Sequence, residues 1–230
     1  MIYVTGDTHG FIERFQENNM NDQNWTENDY LIVCGDFGFI FENDEAEKEK
    51  LDFLATKPYN ICFCDGNHEN FDALYSYPLQ EWNGGRVHRI RENIFHLMRG
   101  QVFEIEGKKI FTFGGARSTD RTAASAYWWP QEQPNEEEFK IGLANLEKHD
   151  FKVDYIITHT ALLDINWLIA KQPSVRANLE ISCRDTELMK YLWEYESKAE
   201  YKHWYFGHWH LDTPVNNKLT AVYFDVHTIE

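Results

Sequence analysis

Short apolar runs, each followed by a glycine and a polar residue, recur along the first third of the chain. Ile2-Tyr3-Val4 leads to Gly6-Asp7, Leu31-Ile32-Val33-Cys34 to Gly35-Asp36, and Ile61-Cys62-Phe63-Cys64 to Gly66-Asn67. Runs of three or four apolar residues that end in turn formers read as strands. Between them, Phe11, Phe15 and Met20 mark the inner face of a helix starting after Gly10. Leu51 and Leu54 do the same for a helix over Ala46 to Ala55. The alternation predicts a βαβ beginning.

From Val87 to Gly115 the texture changes. Ile94-Phe95-His96-Leu97, Val102-Phe103-Glu104-Ile105 and Lys109 to Phe113 alternate over short runs separated by Gly100 and Gly107, which predicts hairpin strands of a second sheet. Residues 116 to 135, broken by Pro130 and Pro134, read as a long loop. A helix is expected from Glu136 to Lys148, with Glu136, Glu137 and Glu138 suiting its first turn. A strand follows over 153 to 159, then a less regular stretch from 161 to 184. Next comes an amphipathic helix from Asp185, its N-cap, to Lys198, with Leu188, Tyr191, Leu192 and Tyr195 inward. Strands at 203 to 207 and 219 to 227 close the core.

Composition sets bounds on this picture. The chain has 230 residues, 43% of them hydrophobic and 16% aromatic, which is ample for a sizeable core and fits one domain over residues 1–230. No stretch approaches the roughly 20 apolar residues of a membrane span, and Met1 to Val4 reads as strand instead of a signal peptide. Cys34, Cys62 and Cys64 lie inside apolar strands and lack zinc-finger spacing, so they read as small core side chains in a reducing compartment. The expected location is the cytoplasm. A net charge of −16, from 38 acidic against 22 basic residues, argues against long duplex nucleic acid as a partner. It is compatible with a small phosphorylated molecule.

Chemistry concentrates just past the strands. Asp7, Asp36 and Asn67 follow the first three apolar runs, His159 follows Tyr155-Ile156-Ile157, and His208 follows Trp204-Tyr205-Phe206. Five strands would thus deliver polar groups to one sheet edge, where ligand sites in α/β folds lie. His208 and His210 flank one residue in an extended segment and would point the same way. Carboxylates, an amide oxygen and imidazoles suit hard-to-borderline divalent ions.

The order Asp-x-His, Gly-Asp, Gly-Asn-His, His, Gly-His-x-His, spread over residues 5 to 210, resembles the calcineurin-like metallophosphoesterase superfamily. The resemblance implies a four-layer αββα sandwich of the α/β (α+β) class, with two mixed sheets flanked by helices and a metal site at the C-terminal ends of strands. It implies that Asp7, His9 and His210 hold one ion, that Asn67, His159 and His208 hold another, and that Asp36 bridges them. His68 matches the family's non-ligand histidine, a general acid for the leaving oxygen or a donor to the phosphoryl group. A role that merely orients Asn67 remains open to it. The expected working metal is Mn²⁺, with Fe, Zn, Co or Ni also compatible. Two such ions less the charges of Asp7 and Asp36 leave a positive centre of about two units, and a water between the ions would ionise near neutral pH to serve as nucleophile.

The implied reaction is hydrolysis of a small phosphomonoester or phosphodiester. The protein Ser/Thr phosphatase branch continues Gly-Asp-x-x-Asp-Arg-Gly, whereas Phe39, Ile40 and Phe41 stand here, so phosphoprotein hydrolysis is the less favoured alternative. A catalytically silent metal-binding module of the same fold is another. In the loop Gly114 to Arg121, which resembles bacterial and phage members of the superfamily, Arg117 and Arg121 are open both to a phosphate contact and to a salt bridge with Asp120 or a neighbouring Glu. Tyr127-Trp128-Trp129-Pro130 is expected to pack that loop onto the body, stacking on a nucleobase being the alternative.

Overall fold

The computed structural model describes residues 1–16, 19–118, 128–172 and 186–230. Two mixed sheets carry the fold. In the first, strands β1 (Ile2–Thr5), β2 (Tyr30–Cys34), β3 (Asn60–Cys64) and β6 (Ile94–Leu97) lie side by side and parallel. Antiparallel neighbours flank them: β13 (His227–Ile229) beside β1, and β5 (Gly85–Arg91) then β4 (Leu79–Trp82) beside β6. In the second sheet β8 (Lys108–Phe113), β9 (Tyr155–Thr158), β10 (His203–Phe206) and β12 (Leu219–Ala221) are parallel, with β7 (Gln101–Ile105) and β11 (Thr213–Pro214) as antiparallel edges.

The parallel strands read as unbroken apolar runs because both of their faces are covered. In β2, Leu31 and Val33 point to an outer layer containing Leu51 and Leu54 of α1 (Glu45–Ala55) and Phe71 and Leu74 of α2 (Phe71–Leu74). Ile32 and Cys34 point the other way. There they meet Cys62 and Cys64 of β3 and, across the sandwich, Phe103, Ile110, Tyr155 and Ile157 of the second sheet. The second sheet's outer face, with Phe111, Phe113, Ile156, Trp204 and Phe206, is covered by α3 (Glu136–Lys148), α4 (Ile165–Lys171) and α5 (Thr186–Lys198). Leu146, Leu168, Leu188, Leu192 and Tyr195 are their buried contacts. Each such leucine removed from water contributes roughly 1.5–3 kcal/mol. The result is the expected αββα layering, and among the described residues no helix is long and apolar enough to cross a membrane.

Caps fix the helix starts. Asp44 accepts from Glu47 N at 2.8 Å ahead of α1, and Asn135 forms a capping box with Glu138 ahead of α3, each of the kind worth about 1 kcal/mol. Asp185, expected to cap α5, lies outside the described residues, as does Cys183.

Three expectations need correction. The helix after Gly10 is a single 3-10 turn, Ile12–Phe15, and Phe11 is 51% exposed instead of inward. Asn19, Asn21 and Asp22 follow, and Asn19 turns its amide back to Glu13 O at 2.7 Å, a local bond that competes with helix propagation. Strand β6 belongs to the first sheet, not the second: it pairs with β3 and β5, and of the three runs those of β7 and β8 alone form a hairpin in the second sheet. Last, 219 to 227 is not one strand. β12 ends at Ala221, and the Asp212 carboxylate accepts from the amides of Tyr223, Phe224 and Asp225, turning the chain across to β13 in the other sheet.

Candidate metal centre

All five parallel strands named by the sequence end at one place. Asp7 follows β1, Asp36 follows β2, Asn67 follows β3, His159 follows β9 and His208 follows β10, so both sheets contribute their C-terminal edges. The turns interlock through backbone bonds: Asp7 N donates to Gly35 O at 3.2 Å, His9 N to Asp36 O at 2.8 Å and Gly10 N to Phe37 O at 3.0 Å. Asp7, His9, Asp36, His208 and His210 all have positive φ, between 45° and 69°. Non-glycine residues in that region carry strain that the surroundings must hold in place. Two glycines make the convergence possible. A Cβ on Gly35, which has φ +83°, would overlap the His159 ring, and one on Gly66 would overlap the Asp36 carboxylate.

The candidate ligands fall into two halves around Asp36. On one side the ligand atoms of Asp7, His9 and His210 lie within 4.8 Å of one another, with His9 Nε2 and His210 Nε2 2.9 Å apart. On the other, His159 Nε2 is 3.1 Å from Asn67 Oδ1, and the His208 ring centre is 4.9 Å from that of His159. Asp36 faces both: Oδ1 is 3.4 Å from His159 Nε2 and Oδ2 is 3.7 Å from His9 Nε2. His68 donates its backbone N–H to Asp36 Oδ1 at 2.8 Å, and its ring sits at the rim, 5.5 Å from that of His9.

These residues suit a divalent pair. Asp7 and Asp36 are buried, and among the described residues neither carboxylate is paired with a lysine or arginine. Such buried charge calls for a counterion. Burial, and behind it the charge of Asp36, raises the Asp7 carboxyl well above the usual range despite His159. At Asp36 burial works the same way but is outweighed by His159, His68 and His9, which hold its carboxyl well below that range. Burial lowers His9 to about 4 and His208 to about 3, and lowers His210 too, so these imidazoles keep their lone pairs. His159 goes the other way, to about 9, because the charges of Asp36 and Asp7 outweigh its burial. Its Nδ1 lies 2.9 Å from Cys34 O, the bond that leaves Nε2 turned to the centre.

Several supporting residues carry no motif. Ser118 Oγ accepts from Asn67 Nδ2 at 3.1 Å, which aims Asn67 Oδ1 at the centre. The buried Arg14 guanidinium donates to Gly6 O at 2.7 Å and Asp7 O at 3.3 Å. Tyr223 stacks on His210, with ring centres 4.5 Å apart. Glu69, the residue after His68, accepts from Phe37 N at 2.7 Å and Gly38 N at 3.4 Å, and the sequence did offer a signal for it in the run Gly66-Asn67-His68-Glu69.

Of the two loop arginines, Arg117 is half-buried next to Ser118, and its Nε has no hydrogen-bond partner among the described residues. Arg121, like Tyr127, lies outside the described residues. Trp129 packs against Phe41 and donates to Asp72 Oδ2 at 3.1 Å, the packing role expected for that cluster.

Comparison with known proteins bears on the same span. No curated protein matches the chain. Solved structures similar to it include a protein of unknown function from Aquifex aeolicus and the phosphopantetheinyl hydrolase from Mycobacterium tuberculosis. The first is 17% identical with a TM-score of 0.34, over 72% of this chain and 81% of that one. The second is 16% identical with a TM-score of 0.47, over 96% and 89%. The family model for calcineurin-like phosphoesterase matches residues 1–212, a span holding every candidate ligand from Asp7 to His210. The chain therefore belongs to the calcineurin-like phosphoesterases, phosphoester hydrolases that work with divalent metals.

Proposed function

We propose that this protein hydrolyses a small phosphomonoester or phosphodiester at a pair of divalent ions, Mn²⁺ foremost. Asp7, His9 and His210 would hold one ion, Asn67, His159 and His208 the other, and Asp36 would bridge. The observation that carries this reading is Asp36 itself, whose two carboxylate oxygens face His159 and His9, one from each half. Bound there, the ions supply Lewis acidity, which ionises water near neutral pH and polarises phosphoryl oxygens.

The chain's own residues supply alignment and a proton. The Cys34 carbonyl and the Ser118 hydroxyl hold His159 and Asn67 in the orientation ligation requires. His68, tied by its backbone to Asp36 but with its ring at the rim, gives a proton to the leaving oxygen. Arg117, half-buried beside Ser118, would be the phosphate contact from this loop. A small substrate fits the acidic surface better than a long polyanion does. The buried free thiols Cys34, Cys62 and Cys64 fit a cytoplasmic setting.

The test is release of p-nitrophenol from p-nitrophenyl phosphate and bis(p-nitrophenyl) phosphate by protein loaded with Mn²⁺. Activity that disappears in Asp36→Asn supports the reading. Loaded protein that is inert toward both esters, or that binds a single ion per chain, overturns it.

A further inference from the structure

On the His68 side of the centre the surface opens into a cavity of about 270 Å³, lined among others by His9, His68, Phe41, Glu42, Glu47 and Lys50. Lys50 is the cation in this wall. It reaches from α1 toward the site, and its ammonium donates to the backbone carbonyl of Gly10, next to His9, at 3.2 Å. No ion pair engages it among the described residues, so two of its three N–H donors remain for another acceptor.

The neighbouring carboxylate does not satisfy it. Glu47 Oε1 accepts from Phe41 N at 2.7 Å and Glu42 N at 3.2 Å, and Oε2 accepts from Asn43 N at 2.8 Å. That carboxylate holds the turn before α1, which positions the Phe41 ring 6.4 Å from that of His68 and 6.0 Å from that of Trp129. The cavity wall therefore presents the His68 imidazole, the Phe41 ring and the half-buried Lys50 ammonium, with the exposed Glu42 at its rim.

We propose that Lys50 is a specificity residue that selects phosphate esters whose leaving portion carries a second anionic group, a carboxylate or another phosphate. This rests on reading the centre as a phosphoesterase with His68 on the leaving-group side. The second anion bonds the ammonium while the atoms linking it to the ester oxygen pack on Phe41. A charge-assisted hydrogen bond in a partly open site is worth about tenfold in selectivity.

The experiment compares para-carboxyphenyl phosphate with para-carbamoylphenyl phosphate, which match in size and differ in charge, on the Mn²⁺-loaded enzyme. Wild type is expected to favour the carboxylate in kcat/KM by about tenfold, chiefly through KM. Lys50→Gln should erase that ratio, and Lys50→Arg should keep most of it. Equal ratios in wild type and Lys50→Gln, or a Lys50→Gln defect of the same size on both esters, overturn the assignment to Lys50 while leaving the phosphoesterase reading intact. A wild-type enzyme inert toward both esters overturns the two together.

Discussion

Ser118 Oγ and Asn67 Nδ2 are 3.1 Å apart in the buried floor of the site, and this bond holds the Asn67 side chain where its Oδ1 lies 3.1 Å from His159 Nε2. Bonds that orient ligands in this way are typically worth 10–100-fold in metal affinity. Ser118→Ala should weaken Mn²⁺ binding by roughly tenfold, and Ser118→Thr should restore it. Calorimetric titration of ion-free protein checks this, and identical isotherms for all three proteins would refute it.

His68 is hydrogen-bonded to the centre through its backbone, whose N–H donates to Asp36 Oδ1, while its ring stands 5.5 Å from that of His9. Removing the imidazole therefore leaves the candidate ligands in place. His68→Ala is expected to lower kcat by roughly 10²–10⁴-fold, the range for loss of a positioned proton donor, with bound metal per chain unaltered. The loss should shrink for esters with good leaving groups, which need no protonation. A uniform loss across leaving groups would instead mean that His68 acts on the phosphoryl group.

How far the sequence disclosed this site follows from what each part depends on. Most of the candidate ligands were legible because Asp7, Asp36, Asn67 and His208 each follow an apolar strand and a glycine, Gly35 being one demanded by the close approach of His159. Ser118, Arg14 and Tyr223 were not, because their roles arise from tertiary proximity: Tyr223 reaches His210 only because Asp212 turns the chain there. The sheet of β6 was equally hidden. An apolar run such as Ile94 to Leu97 states that it is buried, but not that its parallel partner is β3, some thirty residues earlier. Phe11 misled for the same reason, since a spacing of four to Phe15 suits a helix whether or not the following asparagines allow one.

Behind the Asn67 turn, Arg99 donates to Asp65 Oδ2 through Nε at 2.9 Å and through a terminal nitrogen at 2.5 Å, with both side chains buried. Burial alone would raise the Asp65 carboxyl, but Arg99, followed by His96, holds it far below the usual range. Arg99→Met removes the counterion and leaves a buried carboxylate, which costs about 3–5 kcal/mol where such a pair is broken from one side. Urea unfolding at neutral pH should register that loss, and a loss under about 1 kcal/mol would show that the pair is readily replaced. Because Asp65 precedes Gly66-Asn67, Mn²⁺ affinity should fall in the same variant.

His88 and His96 face each other across β5 and β6 with Nδ1 atoms 3.0 Å apart, so a single proton serves both at that contact. Burial, reinforced by His96 and opposed by Asp65, lowers His88 to about 4; Tyr75 covers its ring, and Arg86 adds a smaller push downward. In the unfolded chain the same imidazole titrates near 6.5. Above that pH neither state binds the proton and the folded protein keeps its full stability. Between about 6.5 and 4 only the unfolded chain takes the proton, so stability falls as pH falls, by on the order of 2 kcal/mol over the window. His88→Gln, which cannot titrate, should therefore show a shallower decline from pH 7 to pH 4 in urea unfolding. Parallel declines in variant and wild type would place the acid sensitivity at groups other than His88.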